Sequence, residues 1–234
     1  MLKAGKSLEK VLVSLSAHGP IIEEIKALCR SSRTRLQPMD SGDFRRKFGE
    51  DSQGIIGFGS PFSYASETSI LESVRGQEKV VLIALNGVED PGNLGAVVRT
   101  AEAAGARGLI IPLHRAAGMT EGAIQTAQGA AAHLPVARVP NLGNFLEAAK
   151  EDGFWVIGLD SSGRTRLDQV KYPSRVVLVS GGENVGLGPR LLSICDETAL
   201  IPLTGRTTSL NLSVSTAVCL FEVLRQWGFP SRKS

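Results

Sequence analysis

The 234-residue chain has little of what several protein classes require. Cysteine is scarce: Cys29, Cys195 and Cys219 are odd in number, far apart and form no Cys-x-x-Cys pair. That excludes a disulfide framework and a structural zinc site, and it makes the reducing cytoplasm the expected compartment. Three histidines add few metal ligands, and no metal is expected. No apolar run approaches the roughly 20 residues that span a bilayer, so no membrane partner is expected. The stretch from Val11 to Ala17, behind Lys3, Lys6, Glu9 and Lys10, is too short for a signal peptide. Charge of one sign is lacking too. With 26 Lys and Arg against 23 Asp and Glu the net charge is +3, so any basic footprint for nucleic acid must be local. Aromatics at 5% argue against an extended base-stacking platform. What is present, 42% hydrophobic residues and 21% charged ones, is ordinary globular composition, and with the cysteine usage and the lack of a membrane-length run a soluble, cytosolic protein is expected.

Residues 1–65 read as a small α+β unit. Leu8, Val11, Leu12 and Leu15 follow helical spacing behind Ser7, and Gly19 ends that helix. Pro20 opens a second helix through Leu28, a short extended piece runs from Leu36 to Met39, a helix follows Ser41, and a strand runs from Gly54 to Phe58. A sheet of this kind ordinarily has a strand before its first helix, and none is read here. Residues 66–77 are polar and read as a linker with room for a short helix. From Glu78 onward the texture changes. Val80–Ile83, Leu109–Pro112, Val136–Val139, Trp155–Leu159, Val176–Val179 and Leu200–Leu203 are continuous apolar runs alternating with helix-length segments. Such runs indicate a parallel sheet covered on both faces, an α/β domain within residues 78–234.

Three segments follow strands and open helices, where α/β sheets place ligands. The first runs from Asp90 to Gly105, a helix of small residues in which Asn93 and Arg99 are the polar exceptions. Spacing alone leaves Asn93 readable as a cap and Arg99 as a solvated side chain. The second runs from Ser180 to Arg190, with glycines at 181, 182, 186 and 188. Its spacing is not that of a dinucleotide fingerprint and no Gly-Lys-Ser/Thr follows, so it reads as a ligand-approaching loop or as a tight crossover. The third runs from Ile201 to Ala217: a strand ends at Pro202, and Ser209 or Asn211 begins a helix whose free N–H groups suit an anion or a structural cap.

In this order and spacing, DPGNLGAVVRTAEAAGA, LVSGGENVGLGPRLL and IPLTGRTTSLNLSVSTAVCLFEVLRQ closely resemble the three motifs of the SpoU (TrmH-like) branch of the SPOUT RNA methyltransferases. The resemblance covers Glu78 to Trp227. The first domain, ending in DSQGIIGF, is similar to the ribosomal-protein-like RNA-binding domain of many members, and the nearest subgroup is the bacterial enzymes that methylate a guanosine ribose of 23S rRNA. Two departures stand out: Ala127-Gln128-Gly129-Ala130 replaces a Ser-x-Gly-Ala run, and Ser52 stands where relatives often have His.

The resemblance implies a fold and a chemistry. The fold is a parallel sheet whose C-terminal part forms a trefoil knot, which chain physics alone does not anticipate. It implies S-adenosylmethionine as cofactor, RNA as substrate and a homodimer. By position, Gly181, Glu183, Gly186, Leu187, Ile201, Leu203 and Leu210 match the cofactor site, and Asn93, Arg99, Glu183, Ser209 and Asn211 match the active site. Arg30, Arg33 and Arg35, with Arg45, Arg46 and Lys47, supply the local basic surface for RNA. The implied reaction is methylation of a ribose 2′-hydroxyl. A guanidinium is a poor proton acceptor, so Arg99 suits phosphate binding and charge stabilisation better than base catalysis. Two rival expectations stand beside this one: a tRNA methyltransferase of the same family, and a non-catalytic RNA-binding or ribosome assembly factor. The presence of Asn93, Arg99, Glu183 and Asn211 argues against the latter.

A helix of apolar residues closes the chain. Val218, Leu220, Phe221, Leu224 and Trp227 exceed what one sheet face needs, which also points to a dimer.

Overall fold

The computed structural model describes residues 8–49, 52–59, 62–182 and 186–229. The chain divides into two compact units, Met1–Phe62 and Ser63–Ser234.

In the first unit the order is β1 (Leu8–Ser14), α1 (Pro20–Ser31), β2 (Arg35–Met39), α2 (Ser41–Phe48) and β3 (Ile55–Gly59). The segment expected to be the first helix is a strand, and it is the opening strand that was not read from the sequence. Its proposed cap, Ser7, lies outside the described residues. Val11, Leu12 and Val13 are consecutive and all buried, which a surface helix cannot achieve but a central strand can. β1 pairs parallel with β2 on one side and antiparallel with β3 on the other. Gly19 does not end a helix; with φ 118° it is the residue before α1, and Pro20 takes the first helical position. Asp40 rather than Ser41 caps α2, its carboxylate accepting from the N–H groups of Gly42 and Asp43.

The second unit contains α3 (Glu67–Ser73), β4 (Val80–Asn86), α4 (Pro91–Ala103), β5 (Gly108–Pro112), α5 (Glu121–Thr126) and β6 (Val136–Val139). There follow α6 (Leu142–Glu151), β7 (Trp155–Leu159), β8 (Thr165–Arg166), β9 (Arg175–Gly181), α7 (Gly188–Ile194), β10 (Glu197–Leu200) and α8 (Leu212–Trp227). The seven strands form one parallel sheet in the order β6-β5-β4-β9-β7-β10-β8. Val80 to Leu85 and Val176 to Val179 are at most 2% exposed, as strands covered on both faces must be. The polar stretch 66–77 is not a free linker: α3 drives Ile70 and Leu71, with Val74 just beyond it, into the core shared with α6 and α7. The last long strand sits three residues earlier than the apolar run suggested. Glu197, Thr198 and Ala199 pair with β7, whereas Pro202 has no N–H to donate and Leu203 is exposed.

α8 packs against α4, β7 and β9. Leu220 and Leu224 are buried within this chain's own core and are not surplus surface. The exposed apolar stripe consists instead of Val214, Val218 and Phe221, between 38% and 47% exposed. Among the described residues no helix is long and apolar enough to cross a membrane.

Candidate active site

At the carboxyl end of the second unit's sheet, β9 leads into Gly181 and Gly182, and the chain returns to them at Gly186. Asn86, at the end of β4, holds the return: its backbone carbonyl accepts from the Gly182 N–H at 2.6 Å and its side-chain amide donates to the Gly186 carbonyl at 3.0 Å. The Gly186 N–H donates back to the Gly182 carbonyl at 2.9 Å. A Cβ at Gly181 would fall on the Gly186 backbone, and one at Gly182 on the Gly87 carbonyl. Glycine is required here because backbone passes backbone. Glu183, assigned by resemblance to both sites, lies outside the described residues.

Beside this loop is a cleft of about 470 Å³. Of the expected cofactor residues, Gly181, Gly186, Ile201, Leu203 and Leu210 line it. Leu187 does not. Its side chain is 2% exposed and lies in the core, touching the place where Gly158 would carry a Cβ. The sequence reading missed Asp160 and Ser161 at the end of β7, and Ser180, which also line the cleft. The position of Asp160 and Ser161 after a strand was the available signal. Ser180 is only 1% exposed and its hydroxyl is bonded at 2.9 Å to that of Thr216, also 1% exposed, which ties β9 to α8.

The first and third segments meet through two asparagines. Asp90, not Asn93, caps α4, which frees the Asn93 side chain. Asn211 caps α8: its side-chain oxygen accepts from the N–H groups of Ser213 (2.9 Å) and Val214 (3.4 Å) and from the Ser213 hydroxyl (2.6 Å). With the oxygen so committed, its amide nitrogen donates to the Asn93 oxygen at 3.0 Å. Residues 118 positions apart are thereby locked in orientation, and the Asn93 amide nitrogen has no partner among the described residues. Ser209 lines the cleft and is exposed, without capping the helix. Arg99 is exposed two turns along α4 from Asn93; it does not line the cleft, and no described residue bonds or pairs with it.

In the first unit, Arg30, Arg33, Arg35, Arg45, Arg46 and Lys47 are all exposed. Arg46 pairs with Asp43 at 2.7 Å and Lys47 lies over the Phe48 ring. Arg45 lines a separate polar cavity with Ser14, Ser16 and Ser41.

Burial pushes the Cys219 thiol up to about 12 and the Cys195 thiol up to about 11, so neither offers a thiolate nucleophile or metal ligand near neutral pH. Among the described residues no group of three or more His, Cys, Asp or Glu side chains is placed to hold a metal ion.

The family model described as the SpoU rRNA Methylase family matches residues 80–221. A putative TrmH family tRNA/rRNA methyltransferase of Staphylococcus saprophyticus is 30% identical over 232 residues, 99% of this chain and 93% of that one. An uncharacterized tRNA/rRNA methyltransferase of Synechocystis is 42% identical over 178 residues, 76% of this chain, but the match spans only 46% of that protein. Among solved structures, the AdoMet-bound rRNA methyltransferase of Sinorhizobium meliloti superposes with a TM-score of 0.78 at 27% identity, covering 96% of this chain and 82% of that one. An RNA 2′-O ribose methyltransferase superposes with a TM-score of 0.76 at 25% identity, covering 97% and 84%.

Proposed function

Because the chain belongs to the SpoU rRNA methylase family, we propose that it transfers a methyl group from S-adenosylmethionine to a ribose 2′-hydroxyl of RNA, with a guanosine of 23S rRNA as the target. The observation that carries this reading is the Asn93–Asn211 bond, which joins the first and third motifs beside a cleft lined by main chain. The cleft fits the cofactor. Its volume is within the range of small-molecule sites, Leu159, Leu200 and Leu203 offer apolar surface to a purine, and backbone is bared at Gly181, Gly182 and Gly186. When bound, S-adenosylmethionine supplies an electrophilic methyl group on a sulfonium. Gly181, Ile201 and Leu210 hold it through backbone and apolar contact. Asn93 directs its uncommitted amide N–H groups at the ribose, and Asn211 fixes Asn93 in turn. Arg99 binds the target phosphate and stabilises the oxyanion as the hydroxyl proton leaves to water or phosphate.

The exposed arginines of the first unit supply the phosphate-binding surface for RNA, which is met as an unpaired nucleotide. The strand order supports the trefoil knot: β9 is inserted between β4 and β7, two strands already laid down before it. This reading places the protein in the cytoplasm. Mapping ribose methylation across total RNA, with and without this protein, is expected to show one site lost from 23S rRNA. A loss in tRNA instead favours the tRNA-modifying alternative, and no loss anywhere overturns the enzymatic reading.

We further infer a homodimer through the stripe of Val214, Val218 and Phe221, which no described residue covers. Light scattering at micromolar concentration is expected to give twice the 24.8 kDa chain mass, and Phe221→Asp to shift the population to monomer. A monomeric parent protein refutes the dimer.

A further inference from the structure

We propose that Asp160 recognises the positive charge of the cofactor, pairing with the cationic methionyl-sulfonium part rather than with the ribose; this rests on the S-adenosylmethionine reading above. Asp160 is the one ionisable residue among the described residues that line the cleft. S-adenosylmethionine carries a sulfonium and an ammonium against a single carboxylate, so a carboxylate that is the one charged group among the described lining residues is complementary to its net positive charge.

The local structure holds this carboxylate in place. The Asp160 N–H donates to the Ala199 carbonyl of β10 at 3.0 Å, and its carbonyl accepts from Gly163 at 3.0 Å. Gly163 is itself pressed against β10, since a Cβ there would lie 2.7 Å from the Ala199 carbonyl carbon. One carboxylate oxygen, Oδ1, accepts from both the N–H (2.9 Å) and the hydroxyl (2.6 Å) of Ser162. The other, Oδ2, has no hydrogen-bond partner among the described residues and faces Gly186, 3.7 Å from where its Cβ would stand. A fixed, half-committed carboxylate aimed at the glycine loop forms a charged pair with little loss of side-chain entropy.

Asp160→Asn separates this role from a purely structural one. An asparagine oxygen accepts from Ser162 as aspartate does, so the turn survives and the melting curve should not move. Calorimetry without RNA compares S-adenosylmethionine with 5′-methylthioadenosine, which keeps the adenine and ribose but has neither the sulfonium nor the amino acid. The expected result is roughly tenfold weaker binding of S-adenosylmethionine to the variant, with methylthioadenosine unchanged. Equal weakening of both ligands assigns Asp160 to the ribose and overturns the proposal. No change in either leaves Asp160 as a turn residue only and overturns it too. A parent protein that binds methylthioadenosine but not S-adenosylmethionine sinks it directly, and one that binds neither sinks the cofactor reading with it.

Discussion

Arg99→Ala is expected to slow methyl transfer by roughly a hundredfold or more, the scale seen when one preorganised charge-stabilising donor is removed. Cofactor affinity should hardly change, because Arg99 does not line the cleft. The guanidinium is exposed and is neutralised by no described carboxylate, so its charge remains available to an RNA phosphate. Arg99→Lys restores the charge but not the planar fork and should give at best partial rescue. Single-turnover kinetics on the RNA identified by methylation mapping, with cofactor affinity measured in parallel, provide the check. Should both variants turn over at the parent rate, Arg99 is a solvated helix residue and has no part in the chemistry.

Gly181→Val should abolish detectable cofactor binding, and the structure changes the reason. From the sequence, the added side chain would be thought to invade the ligand's space. In the fold it collides first with the Gly186 backbone, on the other side of the loop. The loop must move away, at the cost of the Asn86 side-chain bond to the Gly186 carbonyl. The variant should therefore also be less stable, since forcing atoms into a packed site costs about 1–3 kcal/mol. At this chain length that corresponds to a melting point lowered by several degrees, roughly 2–4 °C for each kcal/mol. Gly181→Ala meets the same backbone and should show a smaller loss on both measures. Parent-like affinity in Gly181→Val would mean that the loop is not what shapes the site.

The sheet's inner strands were legible because their signal is local. A run such as Val80 to Leu85, apolar at every position, has few uses except burial on both faces, and it is buried. Helix α8 was equally open to reading, since Asn211 before an apolar stretch is a cap by its own chemistry. Leu8 to Ser14 misled because its apolar spacing fits a helix as well as a strand over so few residues. Its partners, β2 and β3, begin 27 and 47 residues later and decide the matter.

By itself the sequence determined the α/β class of the second unit, the order of its main strands along the chain, and three segments that follow strands and whose residue types restrict the chemistry. Those properties follow from side-chain polarity and backbone freedom within a dozen residues. Only the tertiary structure decided that Asn211 orients Asn93, that Leu187 belongs to the core, that Gly181 is small for the sake of Gly186, and that Asp160 stands in the cleft. Each of these depends on where β9 and β10 enter a sheet whose other strands precede them. Strand insertion is a property of the closed chain: it brings together Asn93 and Asn211, 118 residues apart, and no local pattern carries that distance.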